Sequence, residues 1–235
     1  MRTAAILPVK RFARAKQRLG ASVADPLRLE LAAAMVADVL LALAQTRSIE
    51  RTIVVTREDS VATSAREQGA IVLDDVAESG QSEAAAIGVR HALADGFERV
   101  LCVPGDCPAL DPGELEALLS AGNGDGAGGE DGAHAVVIVP DRHGTGTNGL
   151  LLAPPDAIAP SFGPDSCERH RGLALAAGLS PRLERPRSLL LDIDTGADLA
   201  ELRERLSGLS TRAPHTRAVL GQGERADILP LTTPA

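Results

Sequence analysis

Ile6-Leu7-Pro8-Val9-Lys10-Arg11-Phe12-Ala13-Arg14-Ala15-Lys16-Gln17-Arg18-Leu19 is an apolar run that passes directly into a cationic loop. Residues 3–9 have the short, unbroken apolar character of a strand buried on both faces. The loop after it carries five cations, Lys10, Arg11, Arg14, Lys16 and Arg18, and no acid occurs before Asp25 although the chain is net −8. Of 24 lysines plus arginines, only Lys10 and Lys16 are lysine. A lysine is a compact point charge, and an arginine is a planar fork. Most charge runs are solvated surface. Two lysines kept at the end of a buried strand, in a chain that otherwise uses arginine, point instead to a bound triphosphate.

Outward from this segment, strand and helix patterns alternate. Asp25-Pro26 has the chemistry of a helix start, with a side-chain cap followed by a preset φ. The helix continues through Leu27, Leu31, Met35, Val39 and Leu43, spaced every four residues. Strands are expected at 52–56, 70–73, 99–103, 134–140, 149–153 and 189–194, and helices at 59–68, 82–94, 111–119, 166–177 and 196–206. This order predicts an α/β fold, a mainly parallel mixed sheet with helices on both faces. Such sheets bind ligands beyond the carboxyl ends of their strands. One domain is expected over 1–206, with 207–235 a loosely attached or disordered tail. The Gly-rich segment 122–132 reads as a mobile insert.

Composition excludes several classes. The chain is acidic, and its only aromatics are Phe12, Phe97 and Phe162, so nucleic-acid binding on stacking platforms is not expected. Cys102, Cys107 and Cys167 are odd in number and poorly spaced for zinc, and read as small core residues of a reducing compartment. The first nine residues are too soon followed by charge for a signal peptide, and the longest apolar stretch, 31–44, is interrupted by Asp38. A cytoplasmic protein without a membrane partner is expected. There is no P-loop, nucleophile elbow or His-Glu-x-x-His motif.

Several constellations could carry chemistry. Asp106, in Val103-Pro104-Gly105-Asp106, follows a strand; a carboxylate there could hold Mg2+ or serve as an ordinary turn residue. In Asp192-Ile193-Asp194-Thr195 the two acids share one face of an expected strand, and two like charges side by side call for a cation between them. Asp194 could equally cap the next helix. Gly80-Gln81-Ser82 leads into a helix, where free N–H groups and the Gln81 amide suit a nucleotide, or an ordinary cap. Thr147 lies after a Gly/Thr loop, and Gly163 and Ser166 precede a helix whose free N–H groups suit an anion. His170 and Arg171 read as surface residues, with no catalytic role for His170.

Taken together, Pro8-Val9-Lys10, Ala15-Lys16-Gln17-Arg18-Leu19, Gly80-Gln81-Ser82, Pro104-Gly105-Asp106, Thr147-Asn148-Gly149, Phe162-Gly163-Pro164-Asp165-Ser166 and Asp192-Ile193-Asp194-Thr195 resemble the CofC/FbiD family of guanylyltransferases in coenzyme F-420 biosynthesis, over residues 3–206. The resemblance implies a nucleotidyltransferase fold (GT-A-like, Rossmann-like), GTP as donor, Mg2+ as cofactor and a small phosphorylated carboxylic acid as acceptor. In bacterial members the acid is phosphoenolpyruvate; in archaeal ones it is 2-phospho-L-lactate. It implies that Thr147, Gly163 and Ser166 bind the acid and that Asp106, Asp192 and Asp194 bind metal. Lys10, Lys16, Arg18, Gly80, Gln81 and Ser82 would then hold the nucleotide, with Lys10, Lys16 and Asp106 acting in catalysis. A CTP- or molybdopterin-type nucleotidyltransferase and a non-catalytic nucleotide sensor stay open at this point, as does a homodimer.

Overall fold

The computed structural model describes residues 1–12, 25–121, 135–208 and 211–226. Lys16, Arg18 and the Gly-rich insert at 122–132 lie outside the described residues. The first half of the chain forms β1 (Thr3–Val9), α1 (Asp25–Gln45), β2 (Arg51–Thr56), α2 (Asp59–Glu67), β3 (Ile71–Leu73), α3 (Gln81–Ala94) and β4 (Arg99–Cys102). The second half forms α4 (Pro112–Ala121), β5 (Ala135–Pro140), β6 (Thr147–Ala153), α5 (Ser166–Ala176), β7 (Arg182–Leu183), α6 (Gly196–Ser207) and α7 (Pro214–Ala226).

The strands pair in one sheet, in the order β3-β2-β1-β4-β6-β5-β7. β1 runs parallel to both β2 and β4, β2 parallel to β3, and β5 parallel to β7. Only β6, among the described strands, runs against its neighbours β4 and β5. This is the mainly parallel mixed sheet expected from the alternating pattern. The reversal has a consequence for the site: the start of β6, not its end, lies where the parallel strands finish.

Alternation along β1 divides the interior. Ala5, Leu7 and Val9 pack with Val36, Val39, Leu40 and Leu43 of α1 and Leu115 and Leu119 of α4. Ala4 and Ile6 face the other way, toward Ala84, Ala85, Val89 and Ala92 of α3. Helices on both faces therefore cover β1, as its unbroken apolar sequence requires. At Gly88 a Cβ would lie 2.5 Å from Ile6 Cγ2, so the absence of a side chain lets α3 seat directly on β1. The three cysteines are buried within or beside these cores, as expected from the sequence. No helix among the described residues is long and apolar enough to cross a membrane.

Two expectations are corrected. Residues 189–194 are not a strand: Arg187–Leu189 forms a 3-10 turn, and the edge of β5 pairs with β7 instead. What remains is an extended segment held by a backbone bond from Ile193 N–H to the Asp106 carbonyl, 3.0 Å long. Its alternation survives without a ladder, because Leu191 and Ile193 fill a third core with Leu31 and Met35 of α1. Nor is the chain after Ser207 a loose tail throughout. α7 packs Val219 and Leu220 into that same core. Asp38, buried on α1, accepts from the Thr216 N–H at 2.8 Å and from the His215 N–H at 3.0 Å. This carboxylate caps α7 from another helix and serves its free N–H groups. The sequence showed only a polar, Pro- and Gly-punctuated stretch, because the cap is 178 residues away.

Removing that cap strands a buried amide. Asp38→Ala is expected to lower stability by about 1–3 kcal/mol and to speed tryptic cleavage at Arg217. Denaturant melts and limited proteolysis measure both; unchanged values would mean that α7 is held by its apolar face alone.

Candidate active site

The carboxyl ends of the parallel strands surround a cavity of about 600 Å³. Of the residues selected from the sequence, Lys10, Gly80, Gln81, Asp106, Thr147, Gly163, Ser166, Asp192 and Asp194 line it. They come from six different segments, which the fold brings together.

At one end stand Lys10, just past β1, and Gly80 and Gln81, at the start of α3. Gly80 is the N-cap of α3 with φ +110°, a conformation that a side chain would strain. Ser82 has another task. Its hydroxyl accepts from the Phe162 N–H at 2.8 Å, and so ties α3 to the loop that leads into α5. Two ion pairs flank this end, Arg11 with Glu78 at 3.1 Å and Arg57 with Asp74 at 3.3 Å. Asp75, which the sequence reading passed over, lines the cavity with its carboxyl pushed up by burial. No motif surrounds it; its burial comes from the loop after β3.

The middle of the cavity is acidic. Burial first, then the Asp106 charge, hold the Asp192 carboxyl above its ordinary range, and Asp194 adds to this. Asn148 opposes the shift: its amide donates to Asp192 Oδ1 at 3.2 Å and to the Leu189 carbonyl at 2.8 Å. Asp194 does not cap α6. Thr195 does, in a capping box with Asp198, whose Oδ2 accepts from the N–H groups of both Asp194 (3.0 Å) and Thr195 (2.7 Å). Arg142, from the turn between β5 and β6, pairs with the buried Asp198 and with Glu201 at 3.1 Å. Asn148, Arg142 and Asp198 thus fix the acidic segment to the start of β6. The sequence gave a signal for Asn148 only, through its place beside Thr147. Among the described residues, no three His, Cys, Asp or Glu side chains gather closely enough to form a ready-made metal cage. Asp106, Asp192 and Asp194, expected from the sequence to share a cation, line the same cavity without being drawn into such a cage.

Thr147, Gly163 and Ser166 also line the cavity, and the Ser82–Phe162 bond sets Gly163 close to the start of α3. The helix start is less open than expected: the Ser166 N–H bonds the Gly163 carbonyl at 3.1 Å, and the Cys167 N–H bonds the Thr145 carbonyl at 3.0 Å. The hydroxyl of Ser166 is what remains. It is buried and has no hydrogen-bond partner among the described residues, a condition that calls for a ligand or a water. Gly163 has φ +111°, outside the range that suits side chains. His170, expected at the surface, is fully buried. It stands edge-on to the Phe162 ring, with the ring centres 5.2 Å apart. Its Nε2 accepts from the Ser161 N–H at 2.8 Å, and its Nδ1 lies 3.0 Å from Thr147 Oγ1. Burial, with the Arg169 charge, pushes its pKa down to about 4. The ring is neutral at pH 7. A spacing of four from Ser166 on α5 was the signal that could have found it.

Comparison with known proteins places the chain in a family. Residues 3–215 match the family model described as guanylyl transferase CofC like. The chain is 48% identical over 222 residues to a phosphoenolpyruvate guanylyltransferase of Conexibacter woesei, covering 94% of this chain and 96% of that one. A protein of the same name from Sphaerobacter thermophilus is 38% identical over 202 residues, covering 86% and 93%. Among solved structures, a putative nucleotide-diphospho-sugar transferase from Desulfovibrio desulfuricans superposes with a TM-score of 0.74 at 18% identity, covering 96% of each chain. A nucleotidyl transferase from Methanothermobacter gives a TM-score of 0.61 at 20% identity, covering 87% of this chain and 97% of that one. These two likenesses speak to the fold alone; the family match and the sequence relatives go further, and the chain belongs to the CofC-like guanylyl transferase family.

Proposed function

We propose that this chain transfers GMP from GTP to phosphoenolpyruvate and releases pyrophosphate, as a step of coenzyme F-420 biosynthesis. The observation that carries the reading is the make-up of one cavity. A lysine, a helix start, the carboxylates of Asp106, Asp192 and Asp194 and the hydroxyl-bearing residues Thr147 and Ser166 all line it. The names of the sequence relatives supply the two substrates. GTP takes the Lys10, Gly80 and Gln81 end, to which Lys16 and Arg18 would add charge. The phospho-acid takes the Thr147, Gly163 and Ser166 end.

The residues fit a divalent cation of the Mg2+ kind. The donors are carboxylate oxygens, which that ion prefers. Burial first, then the charges of Asp106 and Asp194, raise the Asp192 pKa, and a cation there would offset all three. Asp106, Asp192 and Asp194 would hold it, and when bound it would supply neutralising charge between the two anionic substrates.

The chemistry asks little else of the protein. A phosphate monoester has its second pKa near about 6, so the acceptor is mostly dianionic at pH 7. One of its phosphate oxygens attacks the α-phosphorus of GTP. The bond from that phosphorus to the bridging oxygen breaks, and pyrophosphate leaves with the electron pair. No proton moves, so no general base is needed. His170 would be a poor one, since its Nε2 is occupied by the Ser161 N–H. Lys10 offsets charge on the triphosphate, while the hydroxyls and Gly163 orient the acid for in-line attack.

Pyrophosphate release, measured with GTP, CTP or ATP against phosphoenolpyruvate or 2-phospho-L-lactate, tests the assignment. Turnover is expected with GTP and phosphoenolpyruvate; a preference for CTP, or binding of GTP without pyrophosphate release, would overturn it. Asp106→Asn should keep the fold and lose roughly a hundredfold or more in kcat. Near-wild-type turnover at saturating Mg2+ would remove Asp106 from the reaction. Ser166→Ala should raise the KM for the acid by roughly tenfold or more, the worth of one hydrogen bond to a charged group. The KM for GTP should stay within about twofold. The opposite pattern would mean that the two ends of the cavity are exchanged.

A further inference from the structure

His170 makes both of its ring hydrogen bonds inside the protein, and together they fix its proton. The Ser161 N–H points at Nε2 over 2.8 Å, and a backbone amide can only donate. In the neutral ring, Nε2 is therefore the bare nitrogen and Nδ1 carries the hydrogen. Nδ1 lies 3.0 Å from Thr147 Oγ1, so Nδ1–H donates to that oxygen. A hydroxyl that accepts a hydrogen bond at its oxygen still has its own hydrogen to give. Thr147 lines the cavity. Four residues before His170 on the same helix, Ser166 also lines the cavity and carries a buried hydroxyl without a hydrogen-bond partner among the described residues.

We propose that His170 is a positioning residue: as the Nδ1–H tautomer it satisfies the Thr147 oxygen from behind, and so turns the Thr147 hydroxyl proton toward the phosphorylated acceptor. The proposal rests on the assignment of this end of the cavity to the acid. A dianionic phosphate needs donors; a threonine hydroxyl left to itself could turn its hydrogen toward a bare nitrogen and offer the ligand only lone pairs. With the histidine proton held on Nδ1 by a backbone amide, that wrong orientation has no partner. Thr147 then offers its hydrogen to the acid, while the nearby Arg169 is engaged by backbone carbonyls of its own loop. The loop that supplies the Ser161 amide is itself braced. Arg169 bonds the Pro164 carbonyl at 2.7 Å and the Ser161 carbonyl at 3.0 Å, and Ser82 holds Phe162. The setting of one hydroxyl is thereby built into the fold.

The test pairs kinetics with spectroscopy. His170→Gln keeps an acceptor near the Nε2 position for Ser161 but loses the donor to Thr147. Thr147→Val is expected to raise the KM for phosphoenolpyruvate by roughly tenfold or more. His170→Gln should raise it in the same direction while the KM for GTP stays level, and the double variant should be no worse than Thr147→Val alone. If instead the two single effects multiply in the double variant, His170 does not act through Thr147, and the proposal falls. If Thr147→Val leaves the acid's KM unchanged in an active enzyme, the assignment of the acceptor end fails and takes this proposal with it. That outcome is distinct from a failure of His170 alone. A second measurement uses the wild-type chain and survives any folding defect in the variants. In a long-range ¹H–¹⁵N spectrum at pH 5.5, well above its pKa of about 4, His170 is expected to be neutral. Its pattern should be that of the Nδ1–H tautomer; an Nε2–H pattern would overturn the proposal.

Discussion

The bond from the Ile193 N–H to the Asp106 carbonyl is 3.0 Å long and joins two parts of the chain that nothing else in the sequence relates. It lays the acidic segment after the 3-10 turn along the end of β4, and so brings the carboxylates of Asp192 and Asp194 to the same mouth as Asp106. The remaining supports of the site serve that juncture. Leu191 and Ile193 anchor it in the core against α1. Asp198 receives the next two amides, Arg142 fixes Asp198 to the turn before β6, and Asn148 holds Asp192 from β6 itself. Like charges are thus kept close by bonds made elsewhere. Burial of Asp192, and then its nearness to Asp106, raise its pKa in this arrangement.

Sheet topology explains why two substrates can meet here. β1 passes to β2 and β3 on one side, while β4 lies on its other side. The crevice between the ends of β1 and β4 is the switch point at which open parallel sheets bind ligands. Lys10 and Asp106 stand on its two banks. The reversed strand β6 then adds its own beginning to the same rim, so Thr147 and Asn148 face the crevice from the first residues of a strand rather than from its last. A fully parallel continuation would have put those residues at the opposite end of the sheet.

Much of this was legible in sequence, for physical reasons that differ by element. β1, α1 and β4 carry their own patterns, an unbroken apolar run or a repeat of four, and local chemistry sets their limits. The cavity residues were legible because strand ends are where small, charged and hydroxylated residues interrupt apolar runs. The misreadings have one source, bonds that span the chain. Residues 189–194 alternate as a strand does, but the alternation answers to packing against α1 rather than to a ladder, and no property of the segment separates the two. α7 has a sequence that invites no helix; its cap is Asp38, on α1. His170 looked like a surface residue because its partners, Ser161 and Thr147, are not a recognisable set until the loop after β6 folds back.

A reaction between two anions restricts how a protein can use charge. Cations at the acceptor end would bind the acid but would also draw in the triphosphate, and the two ends of one cavity would lose their distinction. Neutral donors avoid the conflict, but a neutral hydroxyl helps only if its hydrogen points the right way. The structure meets that condition with a histidine too deeply buried to become charged at pH 7 and held in one tautomer by a backbone amide. Burial, which usually makes a histidine useless as a base, is here the property that makes it useful. The same low polarity that suppresses its charge strengthens the bond from Nδ1–H to Thr147. The acceptor site can then rely on hydroxyl donors, with the neighbouring Arg169 engaged by the carbonyls of Ser161 and Pro164.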